Sequence, residues 1–196
     1  MVCGVSVLDD AEVLHADDRE TWRTWLAEHH ATAHGVWLVT WRPRSGRVSL
    51  AYDAAVEEAL CFGWIDSTTA KFDDGRGKQF FSPRKARSPW AATNKARVAR
   101  LIADGRMTAA GLAVIEQAKA NGIWEISDLV ERLEIPADLA VALEAHPGAA
   151  AKFAAFPPTA RKQMLWWVVE AQRPATRAAR VTAIAEAAAE NRRARG

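Results

Sequence analysis

Past Trp124 the chain offers no run that can make a strand. Apolar residues there recur at helical spacing, and Pro136, Pro147, the Pro157–Pro158 pair and Pro174 cut them into short segments. Any β-sheet must therefore come from the first part of the chain. Three β-rich runs stand there: "GVWLVTWR" from Gly35, "WIDSTTAKF" from Trp64 and "KQFFS" from Lys78. In the first, Trp37, Val39 and Trp41 alternate with Val36, Leu38 and Thr40. Both sets start apolar, which predicts a strand covered on both faces. The expected fold class is α+β. A short antiparallel sheet, read as a meander, packs with helices over residues 1–125, and a helical C-terminal part over 126–196 packs with it as one unit.

The helices are legible from spacing and caps. Asp17 or Asp18 can cap a helix to about His30, with Trp22, Trp25, Leu26 and His29 on one face. A second helix is expected from Tyr52 to Cys61, ended by Gly63. Residues 1–15 read as a lead-in. "SPWAATNKARVARLIADG" predicts a helix capped by Ser88, with Pro89 in its first turn and Gly105 at its stop. Thr108 caps the next, to about Ala120. Later helices are expected at 127–133, 136–145 and 147–155, then over "ARKQMLWWVVEAQ" and "RPATRAARVTAIAEAAAE".

The 196 residues carry a formal charge of +2, but the charge is segregated. Counted along the chain, residues 1–70 are net −6, 71–100 net +7, 101–160 net −4 and 161–196 net +5. The small total argues against duplex DNA recognition and leaves a local basic face open. Cys3 and Cys61 are too few for a disulfide framework, no apolar run approaches a membrane span, and the N-terminus lacks the pattern of a signal peptide. A cytoplasmic setting without membrane insertion is expected. Cys61, near a helix C-terminus, is expected in the core rather than as a reactive thiol. His29, His30 and His34 lack the ligands that would complete a metal site. No phosphate-binding loop or dinucleotide fingerprint is present, so no cofactor is expected.

One surface stands out. Arg84, Lys85 and Arg87 precede a predicted helix on which Trp90, Asn94 and Arg97 recur at i, i+4, i+7. A helix N-terminus beside cations can hold an anion, and a tryptophan can stack on it. Trp64 and Asp66 point the same way on their strand, with Arg84, Lys85 and Arg97 as partners for the carboxylate. Arg173, Arg177 and Arg180 share a face of the last helix, either for binding or for pairing with acids such as Glu57 and Glu58. The ligand-binding candidates are thus Trp64, Asp66, Arg84, Lys85, Trp90, Asn94, Arg97 and Arg177, with a small anionic ligand or acidic protein as partner. No residue is assigned as catalytic. An enzyme using Asp66 with Arg84 or Lys85 is one alternative, and a protein or single-stranded nucleic-acid surface another.

Three blocks, "EEALCFGWIDS" at 57–67, "SPRKARSPWAATNKARVARLIADGRMTAAG" at 82–111 and "LWWVVEAQRPATRAARV" at 165–181, resemble the YdeI/OmpD-associated, or bacteriocin-protection, family. The resemblance spans almost the whole chain, from about Trp22 to Ala188. It implies a small cytoplasmic α+β protein of stress or bacteriocin tolerance. It implies no biochemical activity and no catalytic residue.

Overall fold

The computed structural model describes Leu8 and residues 11–194; Cys3 lies outside the described residues. Contacts divide the chain into two compact units. The first comprises the described residues up to Ser88 with Thr93–Asn121, and the second Pro89–Ala92 with the residues from Gly122 on.

The first unit holds the whole sheet. Its elements are β1 (Glu12–His15), α1 (Arg19–His29), β2 (Val36–Trp41), α2 (Tyr52–Cys61), β3 (Trp64–Lys71), β4 (Arg76–Pro83), α3 (Ala92–Ala103, from Thr93 on) and α4 (Ala109–Ala120). Asp18 caps α1 by accepting from the Thr21 N–H at 2.8 Å, and Thr108 caps α4. The strand order is β1-β2-β4-β3. β4 lies between β2 and β3 and is antiparallel to both, so α2 carries the chain across the sheet and the expected meander does not form. β1 pairs parallel with β2, from Glu12 opposite Val36 to His15 opposite Val39. The lead-in therefore contains an edge strand, and four residues are too few to show an alternation. Val36, Trp37, Leu38 and Val39 are all buried, as the two apolar faces of β2 require.

α1 and α2 pack on the sheet face that carries Val36 and Phe81. The Trp22 ring lies 5.2 Å from Phe81 and stacks on Trp25 at 5.5 Å, and its indole N–H donates to the Ala55 carbonyl at 3.0 Å. The helix-to-strand corner after α2 is set by Gly63, whose φ of 75° suits a residue without a side chain. Against this corner the first turn of α4 approaches closely. A Cβ built on Gly111 would stand 2.3 Å from the Cys61 carbonyl oxygen. The same carbonyl accepts from the Thr108 hydroxyl at 2.6 Å.

The second unit is helical: α5 (Ile123–Glu131), α6 (Ala137–Glu144), α7 (Ala149–Ala155), α8 (Pro158–Val169) and α9 (Pro174–Ala189). Its core gathers Val130, Leu139, Leu143, Phe153, Met164, Leu165, Val168 and Ile184. Two expected helix starts move for one reason. Ser127, read as the cap of a helix at 127–133, is fully buried inside α5. Its hydroxyl donates to the Ile123 carbonyl at 2.7 Å and accepts from the Trp90 N–H at 2.9 Å. Trp90 is itself buried, 4.9 Å from Trp124. That packing holds residues 89–91 out of the helix expected from Ser88, and α3 starts at Ala92. No helix among the described residues is long and apolar enough to cross a membrane.

Candidate functional site

The first unit carries a cleft of about 470 Å³ over the open end of its sheet, within the usual range for small-molecule pockets. Pairing across three strands builds its floor in rungs. Val36, Phe81 and Asp66 form the first, Leu38, Gln79 and Thr69 the second, and Thr40, Gly77 and Lys71 the third. Val36, Phe81 and Leu38 are buried, and exposure rises toward Thr69 and Lys71 at the outer end. Leu50, Tyr52 and Ala55 make the opposite wall, and Arg42 closes the outer end.

A β-bulge makes this arrangement possible. Between Asp66 and Thr69 the strand β3 has one more residue than β4 has between Phe81 and Gln79. Strict alternation would place Asp66 and Lys71 on opposite faces; the extra residue returns both to the cleft side.

Gly77 decides the depth of the cleft. It lies inside β4, flanked by Thr40 and Lys71, and its φ lies outside the left-handed region. Nor does packing demand a glycine, because a Cβ there would meet its nearest atoms at 3.9 Å (Ala70 carbonyl oxygen) and 4.0 Å (Arg42 Nε). Gly77 is the second residue of β4, beside the β3–β4 turn, and the space a side chain would fill there stays open to the cleft.

Asp66 organises the inner wall. Its Oδ2 accepts from the Tyr52 hydroxyl at 2.8 Å and from the Gln79 amide nitrogen at 3.5 Å. Burial, and then Asp66, push the Tyr52 phenol up to about 12. Arg84, at the end of β4, is 7% exposed. Burial pulls its guanidinium down to about 10, against the opposing attraction of Asp66. At the outer end Lys71 pairs with Asp74 at 2.6 Å, while Arg42 meets no carboxylate among the described residues.

Of the residues nominated from the sequence, Trp64, Asp66, Arg84, Lys85, Asn94 and Arg97 lie in the first unit, and Trp90 and Arg177 in the second. Trp64 is buried, edge-on to Trp25, with its indole N–H donating to the His30 carbonyl at 3.2 Å. The expected stripe of Trp90, Asn94 and Arg97 fails because Trp90 precedes α3 and belongs to the second unit. Arg97 bonds to Asp53 at 2.5 Å and to Asn94 at 2.8 Å, and Lys85 is exposed in a loop. Arg177, in the second unit, grips Asp138 through Nε and Nη2 at 2.6 and 2.9 Å, and Arg180 donates to the Trp167 carbonyl.

Glu57 and Glu58 are buried and belong to a cluster that spacing did not reveal. Glu57 pairs with Arg19 at 2.6 Å and with Arg100. Glu58 pairs with Arg19 at 3.0 Å, Arg23 at 2.7 Å and Arg106. The cluster ties α1, α2 and α3 together. Beside it Cys61 is fully buried, and burial raises its thiol despite Arg23, so it is a core residue. The sequence reading also missed Arg42, Tyr52, Lys71, Gly77 and Gln79. The only signal was a glycine in a β-rich stretch, and "DDGRG" reads as a turn.

Residues 14–114, 101 of the 196 positions, match the family model described as a domain of unknown function, DUF8412. The chain belongs to this family. The DUF8412 region holds every cleft residue, the glutamate–arginine cluster and the blocks at 57–67 and 82–111. Residues 132–191 match a second model, bacteriocin-protection, YdeI or OmpD-associated, which covers the C-terminal part only and takes in the block at 165–181 with Arg177. Searches of curated proteins and of solved structures found no match.

Proposed function

We propose that this DUF8412 protein is a binding protein that takes a small anionic ligand with an apolar body into the cleft above Gly77. The observation that carries the reading is Gly77 itself, whose missing side chain leaves a binding-sized space between Arg42, Lys71 and Tyr52. Leu38, Leu50, Ala55 and Phe81 offer apolar contact. Arg42 and Lys71 offer charge to an anion. The reading keeps the anionic ligand expected from the sequence and moves its site from the surface near Arg84, Lys85, Trp90, Asn94 and Arg97 to the sheet. Asp66 orients its neighbours in this reading and takes part in no reaction. The description of the C-terminal match, bacteriocin-protection, YdeI or OmpD-associated, supports bacteriocin tolerance as the setting.

Thermal shift against a panel of anionic metabolites tests the reading. A ligand at a hundred times its Kd stabilises the folded state by about 2.7 kcal/mol. At least one compound should raise the Tm of the wild type, and Arg42→Ala with Lys71→Ala should abolish that rise. A wild type deaf to the whole panel, or a double variant that responds unchanged, sinks the proposal.

A further inference from the structure

We infer that the ligand of this cleft carries an amino group, or another N–H donor, at the end of its body opposite the anionic group. The inference rests on the cleft reading above and names the ligand class.

The reasoning starts from Asp66, because a carboxylate can only accept hydrogen bonds. Tyr52 has one hydroxyl hydrogen, and that hydrogen points at Asp66 Oδ2. What the phenol presents elsewhere is its oxygen, an acceptor. Gln79 turns its amide nitrogen to the same carboxylate oxygen, and a planar amide then directs its carbonyl oxygen away from it. Both side chains line the cleft, so Asp66 fixes their polarity. The inner wall therefore shows two acceptor oxygens beside the second Gln79 N–H, with the Asp66 carboxylate behind them and the Arg84 guanidinium attracted to that carboxylate. Tyr52 stays a neutral phenol well above neutral pH, as its raised pKa shows.

The outer end has the opposite character, with Arg42 and Lys71 as donors and cations. The two ends stand apart by the step from the Gln79 rung to the Gly77 rung. That is two residues of an antiparallel strand, about 7 Å. An α-amino acid head group, with its ammonium and carboxylate on one carbon, does not span this distance. A body with an amino group at one end and a carboxylate or phosphate at the other does. Such a ligand is either an ω-amino acid or an amino-bearing nucleotide, and the shared chemistry is the same.

The test compares matched pairs by calorimetry on the full chain: ε-aminocaproate against caproate, and adenosine monophosphate against the purine ribonucleotide lacking the amino group. At least one amino-bearing member should bind about ten-fold tighter than its partner, the scale of one hydrogen bond to a charged group. Which pair shows the gap identifies the source. Asp66→Asn should shrink the ratio several-fold by freeing both side chains to turn, and Tyr52→Phe should weaken the amino-bearing member more than its partner. A merely structural Asp66 would weaken both members equally. Equal affinity within each pair overturns the inference and leaves the cleft reading standing. Absence of binding by both amino-bearing probes also overturns it, and the anion panel then decides whether the cleft reading falls as well.

Discussion

The Tyr52 hydroxyl donates to Asp66 Oδ2 at 2.8 Å, joining the first turn of α2 to the strand β3. This contact closes the inner wall of the cleft. It is also open to direct measurement, since Tyr52 is the only tyrosine in the chain.

Phenolate absorbance should therefore report Tyr52 alone. The folded protein should titrate toward about 12, and Asp66→Asn should move the midpoint down toward the free tyrosine value of about 10. The folded pKa lies above the unfolded one, so the stability linked to this proton is complete below about 10 and is lost as pH rises toward 12. A wild-type midpoint at the free value would remove the hydrogen bond from the argument.

Gly77→Val separates function from stability. Valine suits a strand interior and glycine does not, so the variant should match or exceed the wild type by up to about 1 kcal/mol in urea denaturation. Its side chain would enter the cleft, and every thermal-shift response to anions should disappear. A stable variant that still binds would show that the ligand sits elsewhere.

Gly111→Ala makes the opposite case. Its Cβ would stand 2.3 Å from the Cys61 carbonyl oxygen, a backbone atom that cannot swing aside. The expected loss is about 1–3 kcal/mol by chemical denaturation, the usual range for overpacking. No loss would mean that α4 and the α2 corner do not pack this closely.

Glu58→Gln should cost about 2 kcal/mol, because the side chain is 2% exposed and three arginines converge on it. The arginines are themselves a third or more exposed, which holds the figure below that of a fully buried pair. For Glu57, burial raises the carboxyl, but the hydrogen bonds from Arg19 and Arg100 outweigh it and hold it below the ordinary range. Its contribution is complete above the unfolded glutamate value and is lost as pH falls through the folded one. Glu57→Gln should flatten the acid limb of the stability profile, and an unchanged limb would contradict this.

Elements with strong local signals were readable from the sequence. Tyr52–Cys61 and its Gly63 stop, the Asp18 and Thr108 caps, and the doubly apolar β2 rest on capping and periodicity, which act within a few residues. Trp90 and Ser127 misled because their local signals, a helix start and a cap, were overridden by a mutual hydrogen bond across 37 positions. β1 was too short to show a pattern, and the bulge in β3 reversed the face of Lys71.

For this protein the sequence determined the broad inventory: roughly which stretches are helical, that the strands among the described residues come before residue 84, and that Asp66 needs a partner. Tertiary structure decided what those residues do. Strand order, register and bulge brought Asp66, Gln79, Gly77, Lys71 and Tyr52 to one cleft, and drew Glu57 and Glu58 to four arginines. The reason is physical. Propensity and capping are short-range and leave marks in neighbouring letters. Pairing across a sheet and burial of charge depend on residues tens of positions apart, and no spacing in the chain records them.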